Sequence, residues 1–364
     1  MELIPEWAPN IHPMLVHFPV AILTIAMLFD FISFFLSSKN RWWTQKATAF
    51  LYGIGAVTAI IVYYTGTLAA DSVLPPADAQ TVLTNHADWA WRTIWFYGIY
   101  AVARIAATWL TKDKHRLKSH IGFFVLSFAG LFLLIQTGNR GAKMVFKYGV
   151  GVQESQAEMS MPVDQSNEIR PETIPTAFNV SENGDWVWQI EQGAVQALKK
   201  NFQFLTGSIP GLNAKSVQTV EGSYALQFSG NDMNAFFVTN ESYQSVQVDY
   251  YLDLSAFNGK VFLPYNVQDK NSFYFVSISS DGTIKQGRMV NGKPQIFKQS
   301  TIKVSKPIFV RVVSSGGHFR GYVDKKLVVH GHGDAPTPGS VGLKVNGNGT
   351  LLLKKMTLTQ IDEH

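Results

Sequence analysis

Four long apolar stretches, residues 14–37, 47–70, 87–110 and 120–137, dominate the first 150 residues of the chain. A helix rises about 1.5 Å per residue, so roughly 20 apolar residues cross a hydrocarbon core of about 30 Å. Three stretches clear that length, and the fourth runs on into Gly138. A soluble fold can bury one such helix. Four in succession, joined by short loops, fit an up-down membrane bundle. The first stretch has neither a basic n-region nor a small-residue exit, so it reads as a span and not as a cleaved signal. Lys39, Arg41, Lys46, Lys112, Lys114, Arg116 and Lys118 flank one side of the spans, against Arg92, Arg140, Lys143 and Lys147 on the other. That excess puts the first and third loops in the cytoplasm and both termini outside, in the periplasm of a bacterial inner membrane. In the second stretch Ala49 and Gly53, Gly55 and Ala59, and Gly66 and Ala70 are each four apart, which lets neighbouring helices approach closely.

Composition sharpens this division. Only 16% of residues are charged, and the formal net charge of +5 lies entirely in the first 150 residues, with 12 basic and 7 acidic side chains. The remainder is neutral, and nothing in the pattern suggests a nucleic-acid-binding face. The chain has no cysteine, which excludes disulfides, thiolate metal sites, thiol nucleophiles and covalent haem attachment.

Five of the nine histidines fall in the apolar half: His12, His17, His86, His115 and His120. Counting along the spans puts His12, His17 and His86 at the outer end and His115 and His120 at the cytoplasmic end. A b-type haem between helices needs two axial imidazoles from facing elements with small residues beside the ring. His17 and His86 meet the depth requirement, with His12 as a substitute and Gly66 and Gly138 at the same end. Interfacial capping or hydrogen bonding is the plainer role for the same side chains. His115 and His120 read as solvated interfacial groups. Asp30 and Arg104 read as paired or snorkelling groups near the cytoplasmic ends. Asn85, followed by Asp88 three residues on, reads as the N-cap of the third span.

The string Ile11-His12-Pro13-Met14-Leu15-Val16-His17-Phe18-Pro19 resembles the opening of an uncharacterised family of bacterial four-helix membrane domains. Thr65-Gly66-Thr67-Leu68-Ala69-Ala70 and Gly141-Ala142-Lys143-Met144-Val145-Phe146-Lys147-Tyr148-Gly149-Val150 are similar to its other recurrent segments. The resemblance covers about residues 8–152. Family members occur beside or fused to c-type cytochrome modules, so the resemblance implies a redox setting.

Residues 151–173 are polar and rich in Glu, Ser, Gln and Pro, the composition of an extended tether. From residue 174 the periodicity becomes two. Val246, Val248, Tyr250, Leu252 and Leu254 alternate with Gln247, Asp249, Tyr251 and Asp253, and Asn258-Gly259, Asp281-Gly282 and Asn291-Gly292 give hairpin signals. About a dozen short strands indicate an antiparallel β-sandwich. The segment from Phe319 to Val329, with Pro338-Gly339-Ser340-Val341-Gly342-Leu343, resembles the last strands of laminin-G or concanavalin-like jelly rolls. It is also similar to domains described as keto-disaccharide hydrolases. That resemblance implies a fold and not an activity. No paired-carboxylate glucanase motif occurs, and Asp249 and Asp253 read as solvated strand carboxylates. His330 and His332 share a strand face with Asp334 nearby, which makes a candidate metal site. Trp186 and Trp188 read as packing residues, with sugar stacking as the alternative.

The expected architecture is a membrane all-α four-helix bundle (residues 1–150), a linker (151–173) and an all-β jelly-roll sandwich in the periplasm (174–364). The expected role is a non-catalytic integral subunit of a larger respiratory or photosynthetic electron-transfer assembly. Its partners would be lipid, other subunits of that complex or a periplasmic cytochrome. Two alternatives stand beside it: a haem b electron carrier ligated by His17 and His86, and an envelope protein that binds or cleaves sugars, with carbohydrate as partner.

Overall fold

A computed structural model describes residues 10–110, 113–151, 177–219, 222–304 and 307–362. The expected tether and both chain ends lie outside these residues. The chain divides into two compact units: Met1–Val73 with Val82–Val152, and Leu74–Thr81 with Gln153–His364.

Among the described residues the helical half has five helices where four were expected: α1 (His12–Leu15), α2 (His17–Ser33), α3 (Ser38–Ser72), α4 (Ala77–Leu110) and α5 (Asp113–Phe146). The first expected span is split between α1 and α2, because Pro19 has no N–H to give the Leu15 carbonyl. α4 begins after Pro75-Pro76, two turns before the expected cap at Asn85, so Asn85 and His86 lie inside the helix. Among the described residues, three segments are long and apolar enough to cross a membrane, His12–Ser33, Asn40–Ser72 and Leu117–Phe146. α4 matches them in length, but Arg92, Arg104 and its Tyr- and Trp-rich middle make it more polar than the sequence reading allowed.

The helices are built inside out relative to a soluble protein. Phe18, Phe35, Val57, Ile99, Val102, Val125 and Phe128 are exposed, whereas Ala26, Ala49, Ala56, Ala101, Tyr52, Tyr97 and Tyr100 are buried. Large apolar side chains facing outward with small and polar ones inside is the arrangement lipid favours.

Two contacts recur along this unit. Gly55 of α3 meets Leu23 of α2, and Gly130 of α5 meets Tyr97 of α4; Gly66 meets His12, and Gly141 meets His86. The first helices of the two pairs are offset by 74 residues (12 to 86, 23 to 97) and the second by 75 (55 to 130, 66 to 141). The bundle is therefore an internally repeated helix pair. Residues at equivalent positions also meet each other: Arg104 bonds Asp30, itself 74 residues earlier. That contact joins corresponding positions of the two helix pairs.

The second unit is an antiparallel sandwich made by long strands that curl. Its elements are β1 (Phe178–Val180), β2 (Trp186–Gln189), α6 (Ala194–Asn201), β3 (Phe202–Thr206), β4 (Lys215–Gln218), β5 (Tyr224–Thr239), β6 (Val246–Asp269) and β7 (Ser272–Ser279). They continue with β8 (Thr283–Val290), β9 (Lys293–Thr301), β10 (Ile308–Ser315), β11 (His318–Val323), β12 (Lys326–His332) and β13 (Gly342–Gln360). β6 pairs with β13 along most of its length, with β10 through its first half and with β7 through its second. Gly259 and Gly347 face each other where β6 and β13 bend, each so close to the opposite backbone that a Cβ would collide with it. Asn258-Gly259 is thus this corner and not a hairpin turn. Asp281-Gly282 and Asn291-Gly292 do join β7 to β8 and β8 to β9. The core fills with inward residues such as Trp188, Phe228, Phe237, Tyr250, Leu263 and Leu351. A smaller cluster joins Leu74 and Ala77 to Val313, Tyr322, Leu327 and Ile361 on the outer face of β10 to β12.

Candidate functional site

In the helical unit the imidazoles of His12 and His86 stand at equivalent points of the repeat. His12 Nδ1 lies 3.1 Å from the Val62 carbonyl, 50 residues on, and His86 Nδ1 lies 3.0 Å from the Thr137 carbonyl, 51 residues on. A carbonyl only accepts, so Nδ1 carries the proton in both rings and Nε2 carries the lone pair. The carbonyls sit four residues before Gly66 and Gly141, and each ring rests on the glycine, where a Cβ would approach His12 Cε1 to 2.9 Å and His86 Cε1 to 3.2 Å. Backbone-anchored Nδ1–H with free Nε2 is the arrangement that orients a metal-ligating histidine.

His17, expected as the partner of His86, is exposed on the outside of its helix. Five residues from His12 at 100° each turn His17 about 140° away from it. The substitute, His12, is the residue whose ring makes the contact that matches that of His86.

At the other end of the unit, Arg104 Nη2 donates to Asp30 Oδ1 at 2.5 Å and to His120 Nδ1 at 3.0 Å. His120 Nε2–H then donates to Ser33 Oγ at 2.7 Å, and Ser33 Oγ–H to the Asp30 carbonyl at 2.7 Å. All four side chains are buried, with Asp30 0% and His120 2% exposed. His120 is therefore a member of an internal charge network and not a solvated interfacial group. The pairing of Asp30 with Arg104 agrees with the sequence reading. The His115 side chain lies outside the described residues.

In the β unit the candidate metal site has different members from those expected. His330 and His332 of β12 meet His318 of β11, and one nitrogen from each ring lies within 4.8 Å of the others. Asp334 is exposed and outside the cluster. The register brings His318 opposite His332 and Arg320 opposite His330. Desolvation by burial, with the Arg320 charge and the other two imidazoles, pushes the His330 pKa down to about 3, so its ring is neutral.

Other residues singled out in this half are structural. Trp186 and Trp188 are buried and stack among Phe178 and Phe202. Asp249 is no solvated carboxylate: Arg311 grips it at 2.7 and 2.8 Å and also donates to the Pro75 carbonyl. Asp253 accepts from the Ser255 amide and hydroxyl.

Residues 8–154 match a family described as "Predicted membrane protein (DUF2231)". No curated protein matches the chain. Among solved structures the chain is similar to the carbohydrate-binding module CBM66 from Bacillus subtilis, at 18% identity and a TM-score of 0.35, covering 44% of this chain and 96% of that one. It is also similar to a Bacillus subtilis protein of unknown function with a galectin-like fold, at 9% identity and a TM-score of 0.35, covering 45% and 91%. A third likeness is to the β-glucanase of Bacillus licheniformis, at 12% identity and a TM-score of 0.32, covering 44% and 92%. Scores of this size carry no functional argument. The part that matches the family carries helices long and apolar enough to cross a membrane, and an antiparallel β-sandwich follows them.

Proposed function

We propose that the helical unit binds haem b between His12 and His86 and serves as an electron-transfer subunit of a larger membrane assembly. The observation that carries this reading is the matched pair of imidazoles, each held by Nδ1 on a neighbouring helix with Nε2 left for a ligand. Two neutral imidazoles would supply low-spin axial ligation to iron, and the bare helix surface at Gly66 and Gly141 lets the rings stand close to the backbone. The buried Asp30–Arg104–His120 network fixes the far end of the bundle and holds the two helix pairs together. In this role the β-sandwich is a docking module for a periplasmic cytochrome or for neighbouring subunits. The sugar-binding alternative loses its aromatic platform, since Trp186 and Trp188 are core residues.

The deciding measurement is the reduced-minus-oxidised spectrum of the purified full chain reconstituted with haem. His12→Ala and His86→Ala should each remove the low-spin bands, while His17→Ala and His120→Ala keep them. A spectrum without low-spin bands after reconstitution with haem, or low-spin bands that persist in both His12→Ala and His86→Ala, overturns the reading.

A further inference from the structure

The hairpin of β11 and β12 turns at Asp324-Lys325, both with positive φ (46° and 71°), the two-residue type that matches strand twist. Such a turn pairs Val323 with Lys326 and Tyr322 with Leu327, and unbroken it would carry on to set His318 opposite Gly331. A bulge between Gly321 and Tyr322 shifts the register by one residue, so that His318 faces His332 and Arg320 faces His330. Gly321 makes the bulge feasible: a Cβ there would lie 2.6 Å from Val329 Cγ2 and 3.1 Å from Val276 Cγ2. One irregularity in one hairpin therefore puts three imidazoles on one face of the sheet, with ring centroids 4.3 to 6.0 Å apart.

Core packing does not account for the cluster. Phe319 and Val329 point into the sandwich, so the histidines lie on the opposite face. Nε2 of His330 is buried there and meets no hydrogen-bond partner. A buried nitrogen without a partner is costly unless something ligates it.

We infer that His318, His330 and His332 form a binding site for a divalent transition-metal ion of the zinc class. Imidazole nitrogen is a preferred donor for Zn²⁺, and three such ligands with an exchangeable fourth position make an open tetrahedral site. Bonds of about 2.0–2.1 Å require nitrogens roughly 3.4 Å apart. Closing from 4.8 Å is a movement of about an ångström, which the exposed His332 can supply by rotation. Arg320 stands beside the site, with one guanidinium N–H donated to Gln80 Oε1 at 3.2 Å. Its charge opposes a bare cation and favours an anionic fourth ligand, hydroxide or a carboxylate. The site is independent of the imidazole pair in the helical unit.

The test uses the full chain in detergent, tag removed, stripped with chelator and titrated with Co²⁺ as a spectroscopic stand-in for Zn²⁺. The background is a His12→Gln/His86→Gln variant, so that the imidazole pair of the helical unit cannot respond. One equivalent should bind with the visible bands of four- or five-coordinate cobalt, and Zn²⁺ should displace it. His330→Gln and His332→Gln should each weaken binding by at least about tenfold, the scale of losses seen on disturbing metal sites. His332 is exposed, so His332→Gln keeps the fold, which circular dichroism checks. Bands that persist unchanged in both variants, or cobalt bound only in octahedral form without dependence on these residues, overturn the inference.

Discussion

Asp30 and Arg104 occupy the same position in two successive helix pairs, 74 residues apart, and close on each other inside the bundle. An internal repeat usually places like beside like at its axis. Here opposite charges occupy the two copies, and the repeat is held shut by an ion pair that neither copy could form with itself.

That pair should be costly to break and cheap to replace. Removing one partner leaves a buried charge, so Asp30→Ala or Arg104→Ala should each destabilise the helical unit by about 3–5 kcal/mol. Asp30→Leu with Arg104→Met removes both charges and should cost less than either single change. Denaturant unfolding in detergent micelles measures all three. Equal and additive losses would mean the two residues act independently and the axial contact contributes little.

The two glycines under the imidazoles give a second expectation. A side chain at residue 66 or 141 meets the ring of His12 or His86, whereas Gly98 has open space around its Cα. Gly66→Val and Gly141→Val should therefore push the ring from its carbonyl at an overpacking cost of about 1–3 kcal/mol, roughly five- to 150-fold in haem affinity. Gly98→Val should leave affinity as it is. Haem titration followed by absorbance compares them. Equal affinity in all three variants would separate ring placement from ligation.

How far the sequence discloses this arrangement depends on the kind of pattern. Span positions and the β-periodicity after residue 174 are local, and they show. The internal repeat is also written in the sequence, in the offsets of Gly55 to Gly130 and Gly66 to Gly141. It is masked because paired positions carry different residues: Leu23 matches Tyr97, and Asp30 matches Arg104. The exposure of His17 and the half-burial of His12 follow from helix azimuth, at 100° per residue, which depth along a span does not disclose. His318 was out of reach for another reason. Its place beside His332 depends on a one-residue bulge, and no periodicity rule locates a bulge in advance. His120 looked interfacial because its partners, Ser33 and Arg104, come from two other helices.

Orientation is the third expectation. The positive-inside bias puts the first and third interhelical loops in the cytoplasm and the sandwich outside. The segment Leu74–Thr81, which joins α3 to α4 and includes the start of α4, belongs to the same compact unit as the strands, so both are expected on one side of the membrane. The native chain has no cysteine, which makes single-cysteine labelling clean. A membrane-impermeant maleimide should label Ser280→Cys in intact spheroplasts and Asn40→Cys only after lysis. The reverse pattern would invert the topology while keeping the loop and the sandwich together.

The last expectation concerns the limits of the β unit. Read from the sequence, residues 174–364 should be self-contained, yet Leu74 and Ala77 pack with Val313, Tyr322, Leu327 and Ile361. Polar bonds reinforce this: Arg311 donates to the Pro75 carbonyl at 2.9 Å, and Thr81 Oγ1 donates to the Asp362 carbonyl at 2.8 Å. A domain cut at residue 174 lacks that cover and exposes Val313 and Tyr322 to water. Covering them contributes on the order of 2 kcal/mol, by the usual figure for burying a large apolar side chain. For a unit of this size that is a fall of about 4–8 °C in melting temperature. The isolated domain should therefore fold, melt lower than the β transition of the full chain, and bind a dye specific for apolar surface. In the full chain, Leu74→Asp should reproduce the lower melting temperature. An isolated domain that matches the full chain in melting and binds no dye would show that the Leu74–Thr81 cover adds nothing to the stability of the sandwich.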